Sequence, residues 1–190
     1  VALGARRLGA RPLGALLAAC AYVLWLSFLS GRGGQTPVYY NLLMAAGGYL
    51  ALCLPERARR REIGAIIVSG AVACLLAGLA IQIKYTPLVE GAFFGLVHLW
   101  YLHRAGARVA LTVGAAILWG ALGIAPTLGA ILYFEALGPA AFDTFWFSNF
   151  ASIALRRGYP ASKIAARLAG TTAQLSPFIL AAILARRFSD

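Results

Sequence analysis

The chain has 190 residues, of which 61% are hydrophobic and only 12% are charged, and its mean hydropathy is +0.78. A soluble domain carries roughly 25% charged residues, so this composition excludes an ordinary soluble domain and predicts a membrane protein. The net charge of +11 is compatible with nucleic-acid binding. However, the basic residues form short clusters between long uncharged runs, which is the pattern of membrane loops, so no nucleic-acid partner is expected.

Six runs without a charged residue, or with only one, follow one another along the chain. They are enclosed by Arg11 and Arg32, Arg32 and Glu56, Glu62 and Lys84, Lys84 and Arg104, Arg108 and Glu135, and Arg167 and Arg186. A helix of about 20 predominantly apolar residues crosses the roughly 30 Å of bilayer hydrocarbon. We therefore predict an all-α fold, a polytopic membrane helix bundle with six transmembrane helices in a single transmembrane domain over residues 1–190.

The distribution of Lys and Arg predicts the orientation of this bundle. With the N-terminus in the cytoplasm, eleven of these residues face the cytoplasm and six face outward. The positive-inside rule then places both ends in the cytoplasm, and the turn at Lys84 and the segment from Glu135 to Arg167 outside. Because the chain begins with Val1 and not with Met, and ends just after a basic stretch, we expect it to be an internal fragment of a longer membrane protein.

The outer segment 138–160, "GPAAFDTFWFSNFASIALRRGYP", is predicted to be an interfacial amphipathic helix and loop. Six of its residues recur at helical spacing: Phe142, Phe145, Trp146, Asn149, Phe150 and Ile153. Their apolar members form one broad face, as in a helix that lies in the membrane interface. The segment is either a plain surface-seeking helix or a lid over a lipid-linked substrate. In the second case Arg156 and Arg157 are placed to bind a phosphate.

The stretch "IQIKYTPLVEG" gathers Gln82, Lys84, Tyr85 and Glu90 at the outer end of two adjacent spans. One interpretation is a snorkelling lysine and a carboxylate that favours the positive end of a helix dipole. The other is a polar cavity that opens outward, with Lys84 binding a phosphate or pyrophosphate. Just beyond it, "GAFFG", Gly91 to Gly95, is a small-xxx-small pattern that favours close helix packing.

Histidine and cysteine give no sign of a metal centre. Cys20, Cys53 and Cys74 fall within or at the end of apolar runs and read as small buried hydrophobes. His98 and His103 are five positions apart, which does not place them well on one helical face. We expect neither a metal nor another cofactor.

Four stretches in this order resemble a known family: "GGQTPVYYNLLMAAGGYLAL", "RARRR", "LLAGLAIQIKYTPLVEGAFFGLVHLW" and "FWFSNF". They are similar to the central part of C-type membrane glycosyltransferases, specifically the protein-mannosyltransferase and aminoarabinose-transferase-like group. "GLAIQIKYTP", Gly78 to Pro87, matches the family's Gly-Leu-Ala-x-x-x-Lys pattern, in which one helix returns at once into the next.

The resemblance implies transfer of a sugar from a polyprenyl-phosphate carrier to an acceptor at the outer face of a membrane, here expected to be the bacterial inner membrane. The partners would be membrane lipid and the carrier-linked sugar. The family's catalytic acid lies in an outer loop that would precede Val1, so the catalytic residue stays unknown. Lys84 is the first candidate for the carrier phosphate, followed by Arg156 and Arg157. The candidate polar lining comprises Gln35, Gln82, Tyr85, Glu90 and Asn149. A multi-pass transporter or flippase and a structural membrane subunit remain alternatives.

Overall fold

The computed structural model describes residues 1–28, 36–155 and 158–187. These residues are almost entirely helical and contain no strand, which confirms the all-α prediction. The helices are α1 (Ala2–Arg7), α2 (Pro12–Phe28), α3 (Thr36–Leu52), α4 (Leu54–Arg59), α5 (Ile63–Ile83), α6 (Pro87–Arg104), α7 (Val109–Ala136), α8 (Pro139–Trp146), α9 (Ser152–Ala154) and α10 (Ala161–Arg187), with a π-helical turn (Phe147–Ala151) before α9. Gln35, Arg156 and Arg157 lie outside the described residues.

Three helical segments among the described residues are long and apolar enough to cross a membrane: Val38–Arg59, Ile63–Ile83 and Val109–Ala136. They coincide with the second, third and fifth predicted spans. Helix α2, with 17 residues, is apolar but shorter. The structure therefore agrees with an integral membrane protein, whereas six spans remain a prediction for α2, α6 and α10.

The described residues belong to two compact units, Val1–Gly138 and Pro139–Asp190. Gly138 stands at the boundary with φ +107°, a left-handed conformation that glycine adopts without steric cost. In the first unit α5 is central, because it packs against α3, α6 and α7.

Paired contacts show the directions of the helices around α5. Gly70 and Gly78 of α5 face Trp119 and Gly123 of α7, so the two helices run parallel. Ser69 and Ala77 of α5 face His98 and Gly91 of α6 in reverse order, so α6 is antiparallel to both. Of the two glycines in "GAFFG", Gly91 makes the predicted close approach, since a Cβ atom there would lie 2.7 Å from the Ala77 Cβ, whereas one on Gly95 would have only an ordinary contact.

Helix α3 completes the first unit alongside α6. The hydroxyl groups of Tyr40 and Thr86 are hydrogen-bonded, with an Oη–Oγ1 distance of 3.1 Å, and Gly47 faces the Phe94 ring. From the first contact to the second, the residue number rises on both helices, so α3 runs parallel to α6. The turn between α5 and α6 is thereby fixed against the start of α3.

In the second unit, aromatic rings pack along α8 and the π-helical turn. Trp146 lies between Phe142 and Phe150, with ring centroids 5.9 Å and 4.7 Å away. The predicted interfacial segment is helical from Pro139 to Ala154, and its place in a membrane interface remains a prediction. Helix α10 begins at Ala161, so it includes the part of the predicted outer loop that carries Lys163 and Arg167.

Candidate functional site

An apolar groove of about 560 Å³ lies between α5, α6 and α7. This volume is within the roughly 300–1,000 Å³ of typical small-molecule sites. Its lining consists mainly of small and aliphatic residues: Cys74, Ala77, Gly78, Ile81, Leu88, Gly91, Ala92, Gly95, Leu96, Leu99, Ala116, Trp119, Gly120, Gly123, Ile124 and Thr127. Such a surface offers few polar partners and therefore selects an apolar ligand.

Glycines leave room for the groove while other glycines hold its walls together. A Cβ atom on Gly78 would collide with the Gly123 carbonyl oxygen, so α5 and α7 touch backbone to backbone there. At Gly120 a Cβ atom would meet nothing within 4 Å, and at Gly95 it would meet only the Cys74 sulfur at 3.8 Å. The missing side chains at these two positions keep the space between the helices open.

The Trp119 side chain lies at the end of the groove where the α5 lining stops at Cys74. Its indole is only 2% exposed, and its Nε1–H donates to the Ile67 carbonyl oxygen at 3.0 Å. The His98 ring meets it edge to face, with the centroids 5.8 Å apart. On the α5 side the indole lies directly on Gly70, where any Cβ atom would collide with it.

A buried polar pair, His98 and Ser69, supports this end of the groove. The His98 Nδ1 lies 2.7 Å from the Phe94 carbonyl oxygen, which only an N–H donor satisfies, and Nε2 lies 3.1 Å from the Ser69 Oγ. Ser69 Oγ is also 3.1 Å from the Ile66 carbonyl oxygen. This pair was not predicted from the sequence. The available signal was a histidine within an apolar run, because polar side chains inside a membrane need a partner.

At the opposite end the groove reaches the turn between α5 and α6. Ile81 and Leu88 line it on either side of that turn, and Thr127 lines it from α7. The Gln82 Nε2 donates to the Thr127 Oγ1 at 2.8 Å and to the Gly78 carbonyl oxygen at 3.1 Å. The Gln82 amide group therefore links α5 to α7. The sequence had predicted Gln82 only as part of a polar lining.

Lys84 lies in this turn, in extended backbone at φ −162° directly after α5. Its side chain is half-buried, and no hydrogen bond or ion pair involves it within the described parts of the chain. Tyr85 is 47% exposed, and Glu90 is exposed in the first turn of α6. The structure thus brings Gln82, Lys84, Tyr85 and Glu90 to one turn at the groove's end, but none of them lines the groove.

The remaining predicted site residues fall elsewhere. Asn149 belongs to the second unit, where its Nδ2 donates to the Phe145 carbonyl oxygen of its own helix at 2.9 Å. Gln35, Arg156 and Arg157 are outside the described residues. Over the described ranges no group of three or more His, Cys, Asp or Glu side chains is arranged to hold a metal ion.

Comparison of the sequence and the structure with known proteins identified no significant relative. The chain matches no protein-family model, and no curated protein or solved structure matches it significantly. Its likeness to C-type membrane glycosyltransferases accordingly rests on the four sequence stretches named above and remains a prediction.

Proposed function

We propose that the chain is part of an integral membrane glycosyltransferase that takes its sugar from a polyprenyl-phosphate carrier. The groove between α5, α6 and α7 receives the hydrocarbon chain of the carrier, and Lys84 binds its phosphate. One observation carries this proposal: an apolar groove ends at a turn whose lysine is half-buried, between two residues, Ile81 and Leu88, that line the groove.

Charge supports a phosphate as the occupant next to Lys84. A cation at membrane depth is costly unless it meets an opposite charge or water. Within the described residues the two ion pairs are those of Glu56 with Arg59 and Arg60, and neither involves Lys84 or Glu90. The Lys84 ammonium group is therefore available to a phosphate, which it binds as a compact point charge.

The helix directions support a groove that runs through the membrane. Helices α5 and α7 are parallel and both are candidate spans, so the helix between them must return the chain across the bilayer. With 18 residues, α6 is about 27 Å long, close to the roughly 30 Å of hydrocarbon. These observations support the proposal that α6 is a further span. That Lys84 lies at the outer face of a bacterial inner membrane stays a prediction, based on the distribution of Lys and Arg.

Binding of the carrier is tested by native mass spectrometry of the purified chain with undecaprenyl phosphate and with undecaprenol. We expect the phosphate to bind about tenfold more tightly than the alcohol, which corresponds to about 1.4 kcal/mol. Lys84→Ala should abolish this preference and Lys84→Arg should retain most of it. Arg108→Ala, which removes a cation before α7, is the matched control and should change nothing. Equal binding of both lipids by the wild-type chain would refute the proposed phosphate site.

Sugar transfer is tested separately in membranes that contain the chain, with a radiolabelled polyprenyl-phosphate-linked sugar. Transfer of the label from lipid to a non-lipid product, reduced by Lys84→Ala, supports the glycosyltransferase. Movement of intact labelled lipid between leaflets without loss of the sugar would instead support a flippase. If neither sugar transfer nor lipid movement is detected while the carrier still binds, the result would support a structural lipid-binding subunit and refute the enzyme.

A further inference from the structure

We propose that Trp119 sets the length of hydrocarbon chain that the groove accepts. This inference rests on the proposed function, because it assumes that a prenyl chain enters the groove from the Lys84 end. The structure provides the geometry: an apolar groove that reaches the turn carrying Lys84 at one end and has a hydrogen-bonded indole at the other.

Trp119 and Lys84 lie at opposite ends because of the helix directions. Along α5 the lining runs from Cys74, near Trp119, to Ile81, near Lys84. This separation of seven positions corresponds to about 10 Å of helix. On helix α7 the lining runs in the same direction, from Ala116 through Trp119 to Thr127. A chain anchored by its phosphate at Lys84 and extended along the groove therefore meets the indole with its far end.

The indole is held too firmly to move aside for a longer chain. Its Nε1–H is bonded to the Ile67 carbonyl oxygen, one edge meets His98, and one face lies on Gly70. Rotation of the ring would break the hydrogen bond inside an apolar environment, where an unpaired donor is costly. His98 and Gly70 are therefore positioning residues that act through Trp119.

Two substitutions change the groove in opposite directions. Trp119→Ala removes the indole and extends the groove toward Gly70. Gly120→Leu adds a side chain where a Cβ atom has no neighbour within 4 Å, so it shortens the groove without a clash at its first atom. Gly114→Leu is the matched control on the same helix, because Gly114 also has an open Cβ position but does not line the groove.

The experiment measures the affinity of the purified chain for geranyl, farnesyl, geranylgeranyl and longer prenyl phosphates. For the wild type we expect affinity to rise about tenfold or more with each prenyl unit until the chain reaches Trp119, and then to level off. Trp119→Ala should move this limit to a longer chain by at least one unit, while affinity for the shortest phosphates stays unchanged. Gly120→Leu should move the limit to a shorter chain, and Gly114→Leu should leave it in place.

A limit that stays in place in both groove variants would overturn the role of Trp119. If Trp119→Ala does not fold, Gly120→Leu decides the question, because it removes no packing contact. Failure of the proposed function gives a different result: the wild-type chain then binds no prenyl phosphate of any length, which overturns both proposals. If Lys84→Ala does not change the affinity for prenyl phosphates, but the chain-length limit still moves in Trp119→Ala and Gly120→Leu, the Trp119 inference stands and the phosphate site at Lys84 is refuted.

Discussion

Gly78 of α5 lies against the carbonyl oxygen of Gly123 in α7, so closely that a Cβ atom on Gly78 would collide with it. In a membrane, helices do not gain from burying apolar surface away from water, and close backbone packing between small residues takes over that role. This contact holds the two parallel helices together beside the open part of the groove.

Substitution of Gly78 by Ala should therefore force α5 and α7 apart. We expect a loss of about 1–3 kcal/mol of stability, typical of overpacking, measured as a lower thermal midpoint or easier unfolding in detergent. Gly64→Ala, on the same helix at a position with no neighbour within 4 Å, is the control and should not destabilise the chain. Equal midpoints for the two variants would contradict the close approach.

Ser69→Ala should destabilise the chain because it removes the hydrogen-bond partner of the His98 Nε2 in a fully buried place. Hydrogen bonds between membrane helices contribute about 0.6 kcal/mol on average and at most about 1.7. Ser27→Ala is the matched control, since Ser27 is bonded to the Val23 carbonyl oxygen of its own helix. A larger loss for Ser27→Ala than for Ser69→Ala, in the same unfolding measurement, would argue against the buried pair.

The Gln82 and Thr127 side chains should be energetically coupled. A double-mutant cycle with Gln82→Leu and Thr127→Val is expected to give a coupling free energy of about 0.6 kcal/mol, from the 2.8 Å bond between α5 and α7. Thr112→Val provides the control cycle, because Thr112 is bonded within its own helix to the Arg108 carbonyl oxygen. Coupling of Gln82 to Thr112 but not to Thr127 would contradict the assigned contact.

The proposed orientation predicts which turns react with a membrane-impermeant maleimide. In a background in which Cys20, Cys53 and Cys74 are replaced, Tyr85→Cys should be labelled in intact cells. Arg60→Cys, in the basic turn before α5, should be labelled only after the membrane is permeabilised. Both positions lie at the ends of α5, so the reverse pattern would invert the topology, and labelling of both in intact cells would show that α5 does not cross.

Replacement of Arg61 by glycine should stabilise the folded chain. It has φ +54°, and a residue with a Cβ atom in the left-handed region costs about 1–2 kcal/mol. Arg61→Gly is expected to recover about 1 kcal/mol in an unfolding measurement, whereas Arg61→Ala removes the same charge and keeps the strain. If the alanine variant gains as much as the glycine variant, charge repulsion and not the backbone is responsible.

The sequence determined that the chain is helical and where α5 and α7 begin and end. Charged residues mark the ends of the apolar runs, because a charge is costly within the hydrocarbon region. The runs enclosed by Glu62 and Lys84 and by Arg108 and Glu135 accordingly match α5 and α7 within a residue or two. The Lys84 turn and the contact at Gly91 were also predicted, since both depend on residues close together in the chain.

Only the tertiary structure decided where the groove lies and what closes it. Helix α5 is apolar around its whole circumference, so no periodic pattern shows which face meets α6, which meets α7 and which remains open. The position of the Trp119 indole depends on Ile67 and His98, which are far from it in sequence and contact it from two other helices. Local sequence determines helix ends through the cost of burying charge, whereas the groove arises from the fit of three apolar surfaces, which no single stretch encodes.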